Sequence, residues 1–148
     1  MLRIQAQKMH IHMISAISGS GKVHFLLYSE AIDADRLIGF MEGLVRDAGR
    51  RVFLILDNLR VHHSKKVLEW MDGRANQIAL FYLPAYAPEY NPDEYLNHDL
   101  KRTLGTQTMV KDKQELQSHA ETFMNALAAD PDHVQAYFDH PTLHHYKL

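Results

Sequence analysis

With 148 residues, no cysteine and a formal charge of −2, the chain is the size of one domain, holds no disulfide or thiolate metal site, and has no overall positive field for nucleic acid. Hydrophobic residues make up 46% and charged residues 23%, the balance of a soluble globular core. No apolar run approaches the roughly 18 residues of a membrane span, and the opening MLRIQAQKMH lacks the apolar stretch of a signal peptide.

Residues Lys8–Ser18 alternate, with Met9, Ile11 and Met13 on one side and His10 and His12 on the other, which predicts a strand. Gly19-Ser20-Gly21 makes a turn and Val23–Tyr28 a second strand, giving a hairpin. The string GSGK is no phosphate loop. That motif needs a glycine where Ala16 stands and a Ser or Thr where Val23 stands. Asp33 or Asp35 caps a helix to about Ala48 with Leu37, Ile38, Met41, Leu44 and Val45 at helical spacing, and Gly49 stops it. Val52–Leu56 is an unbroken apolar run, the pattern of a strand buried on both faces.

Ser64 caps a helix carrying Val67, Leu68 and Met71, which ends at Gly73. A further apolar strand, Ile78–Leu83, leads into a proline-punctuated segment from Pro84 to Pro92. Asn91 and Pro92 open a helix through Leu104 with Leu96, Leu100 and Leu104 on one face. Asp112 and Glu115 form a capping box for a helix striped by Leu116, Ala120, Phe123, Met124 and Leu127. Asp130-Pro131 starts a short last helix with Val134, Tyr137 and Phe138. The order ββαβαβαα followed by that short last helix, without repeat or linker, describes a single α/β domain over 1–148.

Two carboxylates occupy positions that suit chemistry. Asp57 follows the Val52–Leu56 strand, and in open α/β sheets ligands gather at the carboxyl ends of strands. An Asx-turn with Asn58 suits the same position. Glu94 is the third residue of its helix, where a glutamate also serves the cap and the helix dipole. Asp93 shares that second reading. The eleven histidines include the pairs His10/His12, His62/His63 and His144/His145, but such pairs need further ligands at suitable spacing to make a zinc site.

The segments DNLRVHHSKKVLEWM and LFYLPAYAPEYNPDEYLNHDLKRTL, taken together, resemble the DDE superfamily of transposases, specifically bacterial insertion-sequence enzymes related to mariner elements. The resemblance implies an RNase H-like fold, a mixed sheet flanked by helices. It implies that Asp57, paired with Asn58, is the second catalytic acid. Glu94 is then the third, within a stretch where Pro84, Tyr86, Pro88, Asn91 and Pro92 all match. It further implies metal-dependent DNA strand cleavage and transfer, with Mg²⁺ or Mn²⁺ held by Asp57 and Glu94. Asn58 and His62 would stand behind those ligands or against DNA phosphate. Lys101, two turns after Glu94, would meet phosphate, in a patch extended by Arg60, Lys65, Lys66 and Arg102. The implied partner is DNA at transposon ends, in a bacterial cytoplasm at the nucleoid and not at a membrane.

One departure stands out. The family's first catalytic Asp ends the central strand upstream of the hairpin, whereas no Asp or Glu here precedes Glu30. The resemblance therefore implies a domain truncated at its N-terminus, without the helix-turn-helix region, impaired in cleavage and binding metal weakly. Asp33 and Asp35 start a helix beyond the hairpin and are poor substitutes. The empty slot between the hairpin and Val52–Leu56 has to be filled by N-terminal residues, a rearranged sheet or a second copy, and a homodimer through that edge is the favoured expectation. The alternative function is a non-catalytic DNA- or transposase-binding regulatory fragment. A standalone nuclease of another RNase H-like branch is disfavoured by the Tyr86–Glu94 string.

Overall fold

The alternation beginning at Met9 becomes the longest strand among the described residues. The computed structural model of the chain describes residues 2–6, 9–30, 32–56, 63–83, 91–105 and 110–139. Its elements are β1 (Leu2–Ala6), β2 (Met9–Ile17), β3 (Val23–Tyr28), α1 (Ala34–Ala48), β4 (Val52–Leu56), α2 (Lys65–Met71), β5 (Ile78–Tyr82), α3 (Pro92–Gly105), α4 (Lys113–Ala128) and α5 (Pro131–Ala136). They fall into two compact units, Met1–Ala31 with Glu89–Leu148 and Ile32–Pro88. Among the described residues no helix is long and apolar enough to cross a membrane.

In the first unit β1, β2 and β3 form an antiparallel sheet in that order. β2 and β3 pair as the expected hairpin, Ile17 opposite Val23 and His12 opposite Tyr28. N-terminal residues, one of the three fillers expected beside the hairpin, form β1 on the edge of β2. No strand pattern announced it, because five residues with only Leu2 and Ile4 as apolar alternates give almost no periodic signal. Pairing makes the strand: Leu2 lies opposite Met13 and Ile4 opposite Ile11, and all four are buried. These residues share one core with Leu96 and Leu100 of α3, Leu116, Ala120, Met124 and Leu127 of α4, and Val134 and Tyr137 at α5. The sequence stripe of α4 is thus its buried face, with Phe123 partly buried at its margin.

Caps fall where short polar side chains precede apolar runs. Asp33 accepts from the Arg36 amide, Ser64 from Val67, Asp112 from Glu115 and Asp130 from His133. Glu115 reaches back to the Lys111 amide at 3.1 Å, one residue beyond the cap that a capping box would serve. Gly21 has φ 92°, and a Cβ there would stand 2.6 Å from Pro131 Cβ. The second glycine of the GSGK string therefore allows the β2–β3 turn to touch the start of α5.

The second unit pairs β4 with β5 in parallel, Val52 opposite Ile78 through Leu56 opposite Tyr82. α1 packs on β4 and on α2, with Leu37, Phe40, Met41 and Leu44 buried. The expectation that β4 is buried on both faces is corrected: Phe53 is 61% exposed and Ile55 45%, and across the pair Phe81 is 52% exposed. Val52, Leu54 and Leu56 on the other face are half-buried. An unbroken apolar run reports hydrophobicity on both faces of a strand, but a two-stranded sheet met by a helix on one face leaves the other open. α2 also turns differently from its expected stripe. Trp70 and Val67 are buried while Leu68 is exposed, because the Trp70 indole donates to Glu42 of α1 at 3.1 Å and Arg74 stacks over its ring.

Candidate functional site

Of the expected site residues, Asp57, Asn58, Arg60 and His62 lie outside the described residues, as do Pro84, Tyr86 and Pro88. The strand that leads to Asp57 is in place. β4 ends at Leu56, whose carbonyl accepts from the Leu83 amide at 2.8 Å.

Glu94 is built from its own segment upward. Asn91 opens α3: its side-chain oxygen accepts from the Asp93 amide at 3.0 Å and its carbonyl from the Glu94 amide at 3.0 Å. Pro92 supplies the fixed φ of a first helical residue. Leu96 and Leu100, both fully buried, turn α3 onto the sheet of the first unit. Glu94 then lies half-buried in the first turn. From that sheet the Ser15 hydroxyl of β2 donates to the Asp93 carboxylate at 2.6 Å. Lys101, seven residues after Glu94, is exposed on nearly the same helical face, since seven steps of about 100° return within roughly 20° of the start.

Among the described residues, the other cations of the expected patch are engaged by acids. Lys65 sits 3.8 Å from Glu69, Lys66 3.4 Å from Asp35, and Arg102 2.8 Å from Asp99. The lysine pairs are exposed and each contributes at most about 1 kcal/mol. Such pairs exchange readily for a phosphate.

A second cluster was not visible in the sequence. Asp99 on α3 accepts from the Tyr137 hydroxyl at 2.5 Å and from Arg102 at 2.8 Å, and stands 2.9 Å from His133 Nε2. Burial works against the charged form of Asp99, but the hydrogen bonds from Tyr137, Arg102 and His133 outweigh it and hold the carboxyl below the usual carboxylate range. Burial, and then the bond to Asp99, push the Tyr137 phenol upward. The cluster floors an open cavity of about 420 Å³ between α3 and α5, also lined by Tyr95 and His98. Nothing in sequence spacing links residues 34 and 38 positions apart. Among the described residues no group of three or more His, Asp or Glu side chains is arranged to hold a metal.

A family profile described as DDE superfamily endonuclease matches residues 2–117, which include the β2–β3 hairpin, β4 and the whole of α3. The chain belongs to the DDE endonuclease superfamily. The fold agrees. The crystal structure of the Mos1 strand transfer complex superposes with a TM-score of 0.73 at 17% identity, covering 97% of this chain and 43% of that one. The catalytic domain of Mos1 mariner transposase gives 0.66 at 17% identity, covering 99% and 79%. The Mos1 mariner paired-end complex with Mn gives 0.70 at 17% identity, covering 99% and 45%. At that identity the likeness is one of fold, the RNase H-like mixture of strands and flanking helices. The chain spans less than half the length of the Mos1 chain in the strand transfer complex. No curated protein matches the sequence. Against the superfamily's requirement for hard divalent ions, Glu94 fits: it offers carboxylate oxygens, half-exposed, on a helix start anchored at its cap and by the neighbouring Asp93.

Proposed function

We propose that the chain is a transposase catalytic-core fragment, with Asp57 and Glu94 as the carboxylates that hold Mg²⁺ or Mn²⁺ and transposon-end DNA as the substrate. The observation that carries this reading is Glu94 itself. Beside Asp93, it is the acid that the family motif places in the first turn of a capped, core-packed helix, inside a chain of this superfamily. Bound at these carboxylates, a divalent ion activates the attacking oxygen and stabilises the leaving one. The chain's own residues do the holding: the cap at Asn91 fixes the helix start, and Lys101 on the same face meets a phosphate of the strand that lies across it. Asn58 and His62 serve behind the ligands or against DNA phosphate, and Arg60 extends the phosphate-binding patch.

Asp57 and Glu94 are two of the three acids that the resemblance implies. A metal held by these two alone is bound weakly and supports little cleavage. Copies pair along the edge of β4 that meets no described strand, beside the open face of Phe53, Ile55 and Phe81. The same two-acid set supports a second reading, a fragment that binds DNA or a transposase in a bacterial insertion-sequence system without cutting. Titration with Mn²⁺, following the free ion by electron paramagnetic resonance, tests the site. Asp57→Asn and Glu94→Gln should each weaken binding by about tenfold or more, and binding untouched by both refutes the assignment. Nicking of supercoiled DNA in Mg²⁺ separates the readings. Robust cleavage abolished by Asp57→Ala overturns the impairment, and transposon-end binding without cleavage supports the regulatory fragment.

A further inference from the structure

We infer that Ser15 is a positioning residue for Glu94, acting through Asp93: its hydroxyl ties the first turn of α3 to strand β2 and holds the neighbouring acid in place. This deepens the proposed site and rests on the reading of Glu94 as a metal ligand.

The first turn is where a helix is least secure, because its amides have no partner within the helix and the end frays. In α3 the buried anchors begin later, at Leu96, and continue at Leu100. They fix the rotation of the helix but leave its opening turn to be held by other means. Two devices among the described residues help to hold it. Asn91 caps the backbone, accepting from the amides of Asp93 and Glu94 at 3.0 Å each. Ser15, 78 residues earlier, donates to the Asp93 carboxylate at 2.6 Å. That is the length of a charge-assisted O–H···O bond, roughly twice as strong as a neutral one.

The cap alone is enough to start a helix, and an aspartate in the first turn is favoured by the helix dipole without any serine. The serine therefore adds a function the helix itself does not require. Ser15 sits opposite Phe25 within the β2–β3 pair, so its backbone is held by the sheet. A rigid donor on a strand, an acceptor on the helix and the metal-binding acid one residue further on form a short chain of constraint. Metal sites need their ligands held within about 0.5 Å, and side chains behind the ligands provide that precision.

The experiment compares the whole chain with Ser15→Ala, Asp93→Ala, the double variant, Asp93→Asn and Glu94→Gln. Two readouts are taken: Mn²⁺ affinity, and hydrogen exchange at the amides of Glu94 to Leu96. Ser15→Ala should weaken Mn²⁺ binding by roughly fivefold, less than loss of a residue bonded directly to a ligand. It should also speed exchange in the first turn by a similar factor. The double variant should be no worse than either single one, and Asp93→Asn, which keeps an acceptor for the hydroxyl, should recover most of the affinity. Exchange and affinity unchanged in Ser15→Ala overturn the inference. So does a lower melting temperature with Mn²⁺ affinity intact, which is what a merely structural hydroxyl would give. If Glu94→Gln leaves Mn²⁺ affinity unchanged, the reading of Glu94 falls and this role falls with it. Loss in Glu94→Gln but none in Ser15→Ala sinks this role alone.

Discussion

Replacing Tyr137 by phenylalanine removes one hydroxyl and tests whether Asp99 ties α5 to α3. The ring of Tyr137 belongs to the core of the first unit and stays. What is lost is a hydrogen bond to a mostly buried charged acceptor, worth about 1.5–3 kcal/mol. The remaining partners of Asp99 compensate little. Arg102 is 78% exposed and His133 45% at the side chain, so their pairs contribute at most about 1 kcal/mol each. We expect Tyr137→Phe to lose about 2 kcal/mol in urea unfolding, or roughly 6 °C in melting temperature for a chain of this size. In an Asp99→Ala background the same change should cost little, because the hydroxyl has already lost the carboxylate and keeps only a contact of 3.4 Å to His133 Nε2.

The pH dependence follows from the direction of the Asp99 shift. Its carboxyl titrates lower in the folded protein than in the unfolded chain. Its contribution is therefore complete above the ordinary carboxylate range, near pH 4, and disappears as pH falls through the depressed folded value. The gap in stability between the wild type and Tyr137→Phe should be constant from neutrality to about pH 4 and narrow below it. Additive losses in the double variant, or a gap that persists unchanged at pH 2, would refute the coupling.

Asn97 is 2% exposed and its side-chain oxygen has no hydrogen-bond partner among the described residues, so Asn97→Leu should raise stability by about 1 kcal/mol in urea titration; a loss would refute that expectation. Gly21→Ala should cost more than about 2 kcal/mol, combining a left-handed backbone with the collision against Pro131, and a neutral result would place the turn elsewhere. Phe53→Ser should leave stability within about 1 kcal/mol while reducing binding of an apolar fluorescent dye, since the ring is mostly in solvent. An unfolded variant would show that the face is covered.

Local features were legible in the sequence, and distant ones were not. Asp33, Ser64, Asp112 and Asp130 are caps because a short polar side chain satisfies amides two or three residues away, a relation that spacing alone reveals. The stripe of α4 is likewise a property of one helix. Trp70 instead of Leu68 faces inward because Glu42, on another helix, offers the indole an acceptor. β1 exists because Ile11 and Met13 give Ile4 and Leu2 somewhere to pack. The site divides in the same way. The motif around Glu94 and its cap could be read directly, whereas the Ser15–Asp93 bond spans 78 residues and the Asp99 cluster nearly 40, and neither leaves a periodic trace. Asp57 and its companions fall outside the described residues, so their role stays where the resemblance put it.

The first unit is discontinuous in sequence, and that shapes the order in which the protein can be made. Its strands are synthesised first, but the helices that bury them begin at Pro92, after all of the second unit has left the ribosome. During that interval Ile4, Ile11 and Met13 have only each other to pack against, and an isolated small antiparallel sheet is marginal in water. The second unit, contiguous from Ile32 to Pro88, has no such wait. Chains truncated near residue 90 and released from the ribosome should therefore resist protease over α1 to β5 while the opening hairpin is still cut, with its protection arriving only in chains long enough to include α4.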